Sequence, residues 1–333
     1  AIKALKDGFT KYTAPAGIPE LRTAIADKLK KENKVDCTPS QIIVSDGAKH
    51  SLNNIFQVLC QKGDEVLVPA PYWPSFVQQV KLSDATPKII QCDNLKLSAE
   101  KLLENISPKT KALIINSPNN PSSVVYAKNE LKKIAEVCVE KNIYVISDEI
   151  YEKLVYDEEH YSIASFGQEI RDKTITVNGF SKTYSMTGWR VGYACANDEI
   201  IHAIDCLQGN ACGNTTSIAQ KGALEALLGP QDSVKKMAGE FKKRRDQIEK
   251  GLSKVNGFSC PKPMGAFYAF PNVLGAFNKK FSNSTEFCNF LLEELNIATV
   301  PGNEFGKEGH MRFSFATSLQ TIIQGVEKLQ NYF

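Results

Sequence analysis

Val177-Asn178-Gly179-Phe180-Ser181-Lys182-Thr183-Tyr184-Ser185-Met186-Thr187-Gly188-Trp189-Arg190 is the most informative stretch of this chain of 333 residues. It places Lys182 just past an apolar strand, residues 173–180, in a turn of small residues, and Arg190 at the start of another strand-like run, 191–196. A lysine amine can react with an aldehyde only where burial or neighbouring charges lower its pKa. An arginine can hold a phosphate through two parallel hydrogen bonds, which a lysine cannot do. Taken alone, both residues also fit ordinary solvated surface charges.

Apolar strand-like runs recur along the first two thirds of the chain, at residues 41–46, 65–70, 87–92, 111–117, 144–149, 173–180 and 191–196. Helical patterns, such as those at 48–60 and 128–141, lie between most of them. This alternation predicts an α/β fold, with a mostly parallel seven-stranded sheet covered by helices on both faces.

The pattern changes in the last third of the chain. A long polar helix near 231–254 is followed by strand-like runs at 265–271 and 310–316, which flank a helical pattern at 284–295. We therefore expect a large domain over residues 1–235 and a smaller α+β domain over 236–333.

A pair of acids closes one of the predicted strands, in Tyr144-Val145-Ile146-Ser147-Asp148-Glu149-Ile150-Tyr151. In an open α/β sheet, ligands bind at the carboxyl ends of the strands, which is where Asp148 would lie. If the ligand contains a pyridine ring, a carboxylate there can keep the ring nitrogen protonated. The phenol of Tyr151 can donate a hydrogen bond to an oxygen attached to the same ring. Asp148 fits a helix N-cap equally well at this point.

Two further strand ends offer polar groups. Ser45-Asp46-Gly47-Ala48-Lys49 precedes a helical pattern, so its backbone N–H groups and the helix dipole would attract an anion, although simple helix capping also fits. Asn116-Ser117-Pro118-Asn119-Asn120-Pro121 carries two prolines that end the strand and fix a rigid loop. That loop can aim the Asn120 amide at a ligand or can be only a turn.

Together these strand ends offer a lysine for an aldehyde, an arginine for a phosphate and a carboxylate for a ring nitrogen. Pyridoxal 5'-phosphate (PLP) needs all three. The chain also resembles the fold-type I, class I PLP-dependent aminotransferases, and in particular the bacterial-type aspartate aminotransferases. The shared signatures span nearly the whole chain in the order of that family, at residues 11–22, 70–73, 116–121, 147–151, 181–190 and 312–318.

The resemblance implies roles for five residues around the cofactor ring. Lys182 would bind the PLP aldehyde and then move the substrate proton, while Asp148 would pair with the pyridine nitrogen. Tyr151 and Asn120 would hold the 3'-oxygen, and Trp73 would stack on the ring. Asn120 and Trp73 would also border the substrate. A buried core aromatic is the commoner role for tryptophan generally, but the Pro-Tyr-Trp-Pro setting argues against it.

The resemblance also implies a phosphate site and a carboxylate site. Gly47, Ala48 and Arg190 would hold the phosphate, joined by Tyr12 from a partner subunit, so the expected assembly is a homodimer with shared active sites. Arg312 would bind the substrate α-carboxylate through two parallel hydrogen bonds. Without the resemblance, Arg312 reads as a surface charge.

The resemblance points to a dicarboxylic substrate through Lys49, which stands where a subgroup of aspartate aminotransferases binds the distal carboxylate. A solvated lysine at a helix start is the other interpretation, but a cation there opposes the helix dipole. We expect amino transfer between aspartate or glutamate and 2-oxoglutarate or oxaloacetate, with prephenate as an alternative acceptor. A PLP-dependent C–S lyase remains open, as does a PLP-fold regulator domain, although no DNA-binding segment is visible.

Two segments depart from the family pattern. Residues 209–214 read Gly-Asn-Ala-Cys-Gly-Asn where family members often have Ser or Thr, in a segment that reaches the neighbouring substrate pocket. Its role here stays open. Ser123 replaces a glycine in the loop after Asn120, which predicts a slightly reshaped turn.

Composition excludes several other classes. Lys+Arg 40 against Asp+Glu 37 gives a net charge of only +3, too little for a nucleic-acid or membrane surface. Nine cysteines without metal-ligand spacing indicate reduced thiols, and the four scattered histidines argue against a metal site. The expected location is the cytoplasm. Because Ala1 to Gly8 read as the end of a helix, the family's N-terminal arm would precede them, and a targeting peptide before that arm stays open.

Overall fold

A computed structural model describes all of residues 1–333. Its main element is a seven-stranded sheet, whose strands are β1 (Ile42–Ser45), β2 (Glu65–Ala70), β3 (Thr86–Gln91), β4 (Thr110–Asn116), β5 (Tyr144–Asp148), β6 (Thr174–Gly179) and β7 (Gly192–Cys195). Each strand falls within one or two residues of an apolar run in the sequence. The strand order is β1-β7-β6-β5-β4-β2-β3.

Only β7 runs against its neighbours, since it pairs antiparallel with both β1 and β6 while every other pair is parallel. The carboxyl ends of the six parallel strands therefore meet at one edge of the sheet, and β7 begins at that edge with Gly192. The predicted mostly parallel seven-stranded sheet is confirmed.

Thirteen α-helices surround this sheet and the small sheet described below: α1 (Ile2–Lys6), α2 (Pro19–Lys28), α3 (Ala48–Leu59), α4 (Pro74–Leu82), α5 (Ala99–Asn105), α6 (Lys128–Glu140), α7 (Gln168–Lys173), α8 (Phe180–Thr183), α9 (Asp198–Ala211), α10 (Ser217–Leu228), α11 (Asp232–Leu252), α12 (Ser284–Leu295) and α13 (Leu319–Tyr332). Side-chain caps start several of them. The Asn197 side chain accepts a hydrogen bond from the Ile200 amide at α9, and Ser318 accepts one from the Thr321 amide at α13.

Helices cover both faces of the large sheet because its strands are apolar on both sides. In β4, Ala112 and Ile114 pack with α3, α4 and α9, whereas Leu113 and Ile115 pack on the opposite face with α5, α6 and α7. The alternating direction of strand side chains produces this division. The predicted two-sided α/β fold is therefore confirmed.

The C-terminal part forms a three-stranded antiparallel sheet in the order β8 (Tyr268–Ala269), β10 (Met311–Ser314) and β9 (Val300–Pro301). Its apolar core includes Phe281 and Phe287, whose rings stack 4.4 Å apart. The strand predicted at 265–271 shrinks to two residues. Ala266 has a φ of 52°, which breaks the extended backbone, and Pro271 has no N–H to donate to a neighbouring strand.

The predicted boundary after residue 235 lies in the first turn of α11, and the division into two domains stays a prediction. None of the helices is both long enough and apolar enough to cross a membrane.

Candidate active site

A cavity of about 410 Å³ lies at the edge where the parallel strands end. Nine of the residues singled out in the sequence line it: Ala48, Lys49, Trp73, Asn120, Asp148, Tyr151, Lys182, Arg190 and Arg312. They come from six separate segments of the chain. The sheet topology brings these segments together because the segments that follow β1, β2, β4, β5 and β6 lie side by side.

Lys182 lies on α8, directly after β6, and its side chain is half-buried. Burial lowers the pKa of its amine, and the positive charges of Arg190 and Arg312 lower it further, against an opposing effect of Asp148. The lysine therefore has the lowered pKa that reaction with an aldehyde requires.

Asp148 is the last residue of β5 and is buried at the base of the cavity. Its Oδ1 accepts a hydrogen bond from the Ile150 amide at 3.2 Å. Burial raises the pKa of this carboxyl to about 7, so its charged form lacks a strong cationic partner within the protein. The residues that follow form a turn and no helix, so the helix N-cap interpretation of Asp148 is wrong.

Tyr151 and Asn120 face the cavity from neighbouring loops. The Tyr151 hydroxyl lies 2.9 Å from the Tyr268 hydroxyl. Asn120 Oδ1 accepts a hydrogen bond from Arg312 Nη1 at 2.9 Å, while the backbone N–H of Asn120 donates to Asn116 Oδ1 at 2.8 Å. The side-chain oxygen of Asn120 is thereby oriented toward Arg312, which leaves its Nδ2 donors for a ligand.

Two glycines allow the start of α3 to approach Arg190. Gly47 has a φ of 85°, and a Cβ atom built on it would lie 2.3 Å from Arg190 Nη2. A Cβ atom on Gly192 would lie 2.3 Å from the Ala48 amide nitrogen. Arg190 donates from Nη2 to the Asp46 carbonyl at 3.1 Å and from Nη1 to the Thr187 carbonyl at 2.9 Å. The helix-start amides and this guanidinium form a site suited to a phosphate.

Arg312 projects from β10 at the other end of the cavity. Its guanidinium carbon lies 4.6 Å from the centroid of the Tyr268 ring and 5.0 Å from that of Phe305. Its Nε is buried without a hydrogen-bond partner. A fixed guanidinium with free donors is suited to a carboxylate.

Trp73 and Lys49 form a rim of the cavity. Trp73 precedes α4 and packs edge-on against Phe76, with ring centroids 5.4 Å apart. Lys49 is exposed, and its Nζ lies 4.8 Å from the centroid of the Trp73 ring. A cation beside an aromatic face at the mouth of the cavity is in position to meet an incoming anion.

Tyr12 lies outside the cavity and is 97% exposed. The segment 209–214, at the end of α9, does not line the cavity either. Within it, Cys212 Sγ lies 3.8 Å from His50 Nε2, and Asn214 Oδ1 accepts a hydrogen bond from the Thr13 amide at 3.2 Å.

The turn at Ser123 has a left-handed backbone, with a φ of 59°, as a glycine position would require. The Ser123 hydroxyl donates to the Tyr268 carbonyl at 2.7 Å. The turn therefore carries a side-chain hydrogen bond that a glycine could not make, and its reshaping relative to the family stays a prediction.

Sequence reasoning missed four polar residues that line the cavity: Asn116, Ser181, Thr187 and Tyr268. Asn116, Ser181 and Thr187 lie inside the segments 116–121 and 177–190, whose positions after predicted strands already indicated a site. Tyr268 had no such signal. It lies on a short strand of the C-terminal sheet, and only the packing of that strand against the turn after β5, at Ile150, Tyr151 and Leu154, brings it to the cavity.

These residues fit PLP. A half-buried lysine of lowered pKa suits its aldehyde, a buried carboxyl of raised pKa suits a protonated ring nitrogen, and the cleft between α3 and Arg190 suits its phosphate. No histidine lines the cavity.

Comparisons with known proteins agree with the geometry. The family model for aminotransferase class I and II matches residues 1–329. An aspartate aminotransferase of Bacillus sp. (strain YM-2) is 45% identical over 337 residues, which cover 100% of this chain and 86% of the relative. A probable aspartate/prephenate aminotransferase of Aquifex aeolicus is 46% identical, covering 99% of this chain and 85% of the relative. The crystal structure of the Rhizobium meliloti aspartate aminotransferase is 37% identical and superimposes with a TM-score of 0.96, over 99% of this chain and 85% of that one.

The fold and the cavity together define a fold-type I transaminase, in which a lysine at a strand end faces a carboxylate and an arginine. The chain belongs to the aminotransferase class I and II family and is a PLP-dependent transaminase.

Proposed function

We propose that this transaminase moves the amino group between aspartate or glutamate and 2-oxoglutarate or oxaloacetate. The observation that carries the proposal is the presence of two cations on one cavity, Arg312 at one end and Lys49 at the rim, with the Lys182 amine lining the same cavity. Two cations match the two carboxylates of a dicarboxylic acid. The relatives named as aspartate aminotransferases support this choice.

PLP, when bound, supplies an electrophilic aldehyde and a ring that withdraws electrons from the substrate α-carbon. In the proposed arrangement, Asp148 would keep the ring nitrogen protonated, since a buried carboxylate gains stability from a cationic partner. Tyr151 and Asn120 would donate hydrogen bonds to the 3'-oxygen, and Trp73 would pack against the ring.

The phosphate end of the proposed site uses Gly47, Ala48 and Arg190. Backbone N–H groups at the start of α3 would donate to the phosphate, and Arg190 would add charge-assisted hydrogen bonds. The missing Cβ atoms of Gly47 and Gly192 keep the helix start close to the guanidinium.

Lys182 and Arg312 act on the substrate. Arg312 holds the α-carboxylate through two parallel hydrogen bonds and so fixes the orientation of the Cα–H bond. The Lys182 amine would act as the base that takes and holds the substrate α-proton, because its lowered pKa keeps a larger fraction of the amine neutral.

Lys49→Ala tests the assignment of the substrate. We expect kcat/KM for aspartate and glutamate to fall on the order of thirty- to a hundredfold, since a charge-assisted pair is worth roughly 2–3 kcal/mol. The kcat/KM for alanine and phenylalanine should change little, because these substrates have no distal carboxylate.

Two variants control this experiment. Lys49→Arg keeps the charge and should retain most of the preference for dicarboxylates, whereas Arg312→Ala should damage transamination of every amino acid. Equal losses for aspartate and phenylalanine in Lys49→Ala would contradict the proposed role of Lys49.

Prephenate is a second candidate acceptor, because it also carries two carboxylates and a relative at 46% identity is named a probable aspartate/prephenate aminotransferase. Rates with oxaloacetate, 2-oxoglutarate and prephenate on the unmutated protein decide between them. A rate with prephenate above that with both 2-oxo dicarboxylates would move the assignment to prephenate.

The proposal extends to assembly. Three large apolar or aromatic side chains near the start of the chain are exposed, Tyr12, Ile2 and Leu5 at 97%, 75% and 54%, and a second copy of this chain would cover them. We propose a homodimer in which Tyr12 and the segment 209–214 reach the partner's site. The proposed domains are residues 1–235, which would carry most of the PLP site, and 236–333, which would carry Arg312.

A cytoplasmic location is also proposed. It is supported by nine free cysteines, which suit a reducing compartment.

A further inference from the structure

Tyr268 contacts two functional side chains at once. Its hydroxyl lies 2.9 Å from the hydroxyl of Tyr151, with the two rings edge to face and their centroids 6.0 Å apart. The guanidinium of Arg312 stacks on its ring at 4.6 Å. Tyr268 is buried and lines the cavity, although it belongs to the C-terminal sheet.

These contacts form a chain of four side chains. Tyr151 contacts Tyr268, Tyr268 stacks on Arg312, and Arg312 Nη1 donates to Asn120 Oδ1 at 2.9 Å. All four line the cavity. The two at the ends of the chain, Tyr151 and Asn120, would face the 3'-oxygen in the proposed function, and Arg312 would face the substrate carboxylate. Tyr268 contacts one residue of each kind.

The direction of the hydrogen bond between the two tyrosines follows from the number of protons. Tyr151 has a single hydroxyl proton, and if it donates that proton to the 3'-oxygen, its own oxygen can only accept from Tyr268. A hydroxyl that accepts a hydrogen bond becomes a stronger donor, because chained hydrogen bonds polarise one another. Tyr268 would therefore strengthen the bond that Tyr151 makes.

Ser123 fixes the backbone of Tyr268. The Ser123 hydroxyl donates to the Tyr268 carbonyl at 2.7 Å, and the Ser123 carbonyl accepts from the amides of Met264 and Gly265 at 3.0 and 2.9 Å. The left-handed φ of 59° disfavours a serine, because its Cβ atom crowds the backbone there. The hydroxyl bond offsets part of this cost and ties the loop that carries Asn120 to the strand that carries Tyr268.

We propose that Tyr268 is a positioning residue for transamination, which donates to Tyr151 and seats Arg312, and that Ser123 holds it in register with the Asn120 loop. The inference rests on the proposed roles of Tyr151 and Arg312. It assigns a function to a residue of the C-terminal sheet and to the serine that departs from the family glycine.

The test uses the PLP-loaded protein without substrate, whose visible absorbance changes with pH. A donor to the 3'-oxygen stabilises the negative charge there and so favours the deprotonated form of the Lys182 linkage. Tyr268→Phe removes only one oxygen atom. The midpoint of the absorbance change with pH should move upward by about 0.5 pH unit, which is a threefold change in the proton-binding constant of the Lys182 linkage. Tyr151→Phe should move the midpoint in the same direction and further.

A kinetic measurement separates the two contacts. Tyr268→Phe keeps the ring beneath Arg312, so kcat should fall while KM for the amino acid changes little. Tyr268→Leu removes the ring as well and should raise KM too. Ser123→Gly tolerates the left-handed backbone but loses the hydroxyl, so its midpoint should shift upward by less than that of Tyr268→Phe.

Tyr184→Phe is the matched control, since its hydroxyl donates to Gln231 at 3.2 Å, outside the cavity. Its midpoint should equal that of the unmutated protein. An unshifted midpoint in Tyr268→Phe, together with a shift in Tyr151→Phe, would overturn the inference and leave the proposed function intact. No shift in either variant would contradict the proposed role of Tyr151 as well. The dicarboxylate assignment is tested separately, by the comparison of substrates in Lys49→Ala.

Discussion

Two ionisable residues that line the cavity, Lys182 and Asp148, have pKa values displaced in opposite directions. Burial lowers the pKa of the Lys182 amine and raises that of the Asp148 carboxyl to about 7. Both shifts disfavour the charged form of the group, so ionisation of the Asp148 carboxyl costs free energy in the PLP-free protein. A protonated pyridine nitrogen beside Asp148 would remove that cost, which gives a physical reason for the buried acid.

Asp148 should therefore make the stability of the PLP-free protein depend on pH. Its folded-state pKa of about 7 lies above the ordinary value of 3.8, so the stability it contributes is complete below pH 3.8 and is lost as the pH rises through 7. Asp148→Asn cannot ionise and should become more stable than the unmutated protein as pH rises. The difference in free energy of unfolding should grow by about 2.5 kcal/mol between pH 5 and pH 8. Urea unfolding of both PLP-free proteins at the two pH values measures it, and a difference that stays constant would contradict the assignment.

At the scale of elements, the phosphate end depends on how closely α3 approaches β7. The helix start and the first residue of β7 pack so tightly that a Cβ atom on Gly192 would meet the Ala48 nitrogen at 2.3 Å and the Gly47 carbonyl carbon at 2.5 Å. Both neighbours are backbone atoms of the proposed phosphate site, so neither can move without moving that site.

Gly192→Ala should therefore reduce PLP affinity at least tenfold and lower the free energy of unfolding by roughly 1–3 kcal/mol, the usual cost of overpacking. Gly325→Ala is the matched control, because a Cβ atom there meets nothing within 4 Å and alanine favours the interior of α13. PLP titration followed by tryptophan fluorescence, together with urea unfolding, measures both effects. Equal PLP affinities in the two variants would show that close packing at Gly192 does not shape the phosphate site.

At the scale of the whole molecule, the proposed site is completed by a second copy of the chain. A chain carrying Lys182→Ala mixed with one carrying Tyr12→Phe should form heterodimers with one site that has both defects and one that has none. Activity should therefore rise on mixing above the sum of the two separate proteins, since the intact site pairs a normal Lys182 with a normal Tyr12. Light scattering measures the assembly, and activity measures the complementation. Full activity in a strictly monomeric protein would rule out the shared site.

The strands and the residues at their ends were predictable from the sequence. Apolar runs place β1 to β7 to within one or two residues, because a strand buried on both faces must be continuously apolar. Parallel order then brings Asp148, Asn120 and Lys182 to one edge of the sheet. The family resemblance identified Arg312 as a site residue. Without it, an arginine on a strand would be interpreted as a surface charge.

Contacts between distant parts of the chain were not predictable in this way. Tyr268 is 117 residues from Tyr151, and Arg312 is 192 residues from Asn120. Neither pair leaves a local pattern in the sequence. The periodicity of apolar residues also does not predict which strands pair, so it could not show that β7 lies antiparallel between β1 and β6.

The sequence by itself determined the α/β fold, the strand ends and the chemical types of the residues there, because local periodicity and turn residues are encoded over short spans. Only the tertiary structure decided which groups meet: the hydroxyl of Tyr268 with that of Tyr151, the hydroxyl of Ser123 with the backbone of Tyr268, and the Arg312 guanidinium with the Asn120 amide. It also decided the direction of the pKa shifts of Asp148 and Lys182, since both groups become buried only when the chain folds.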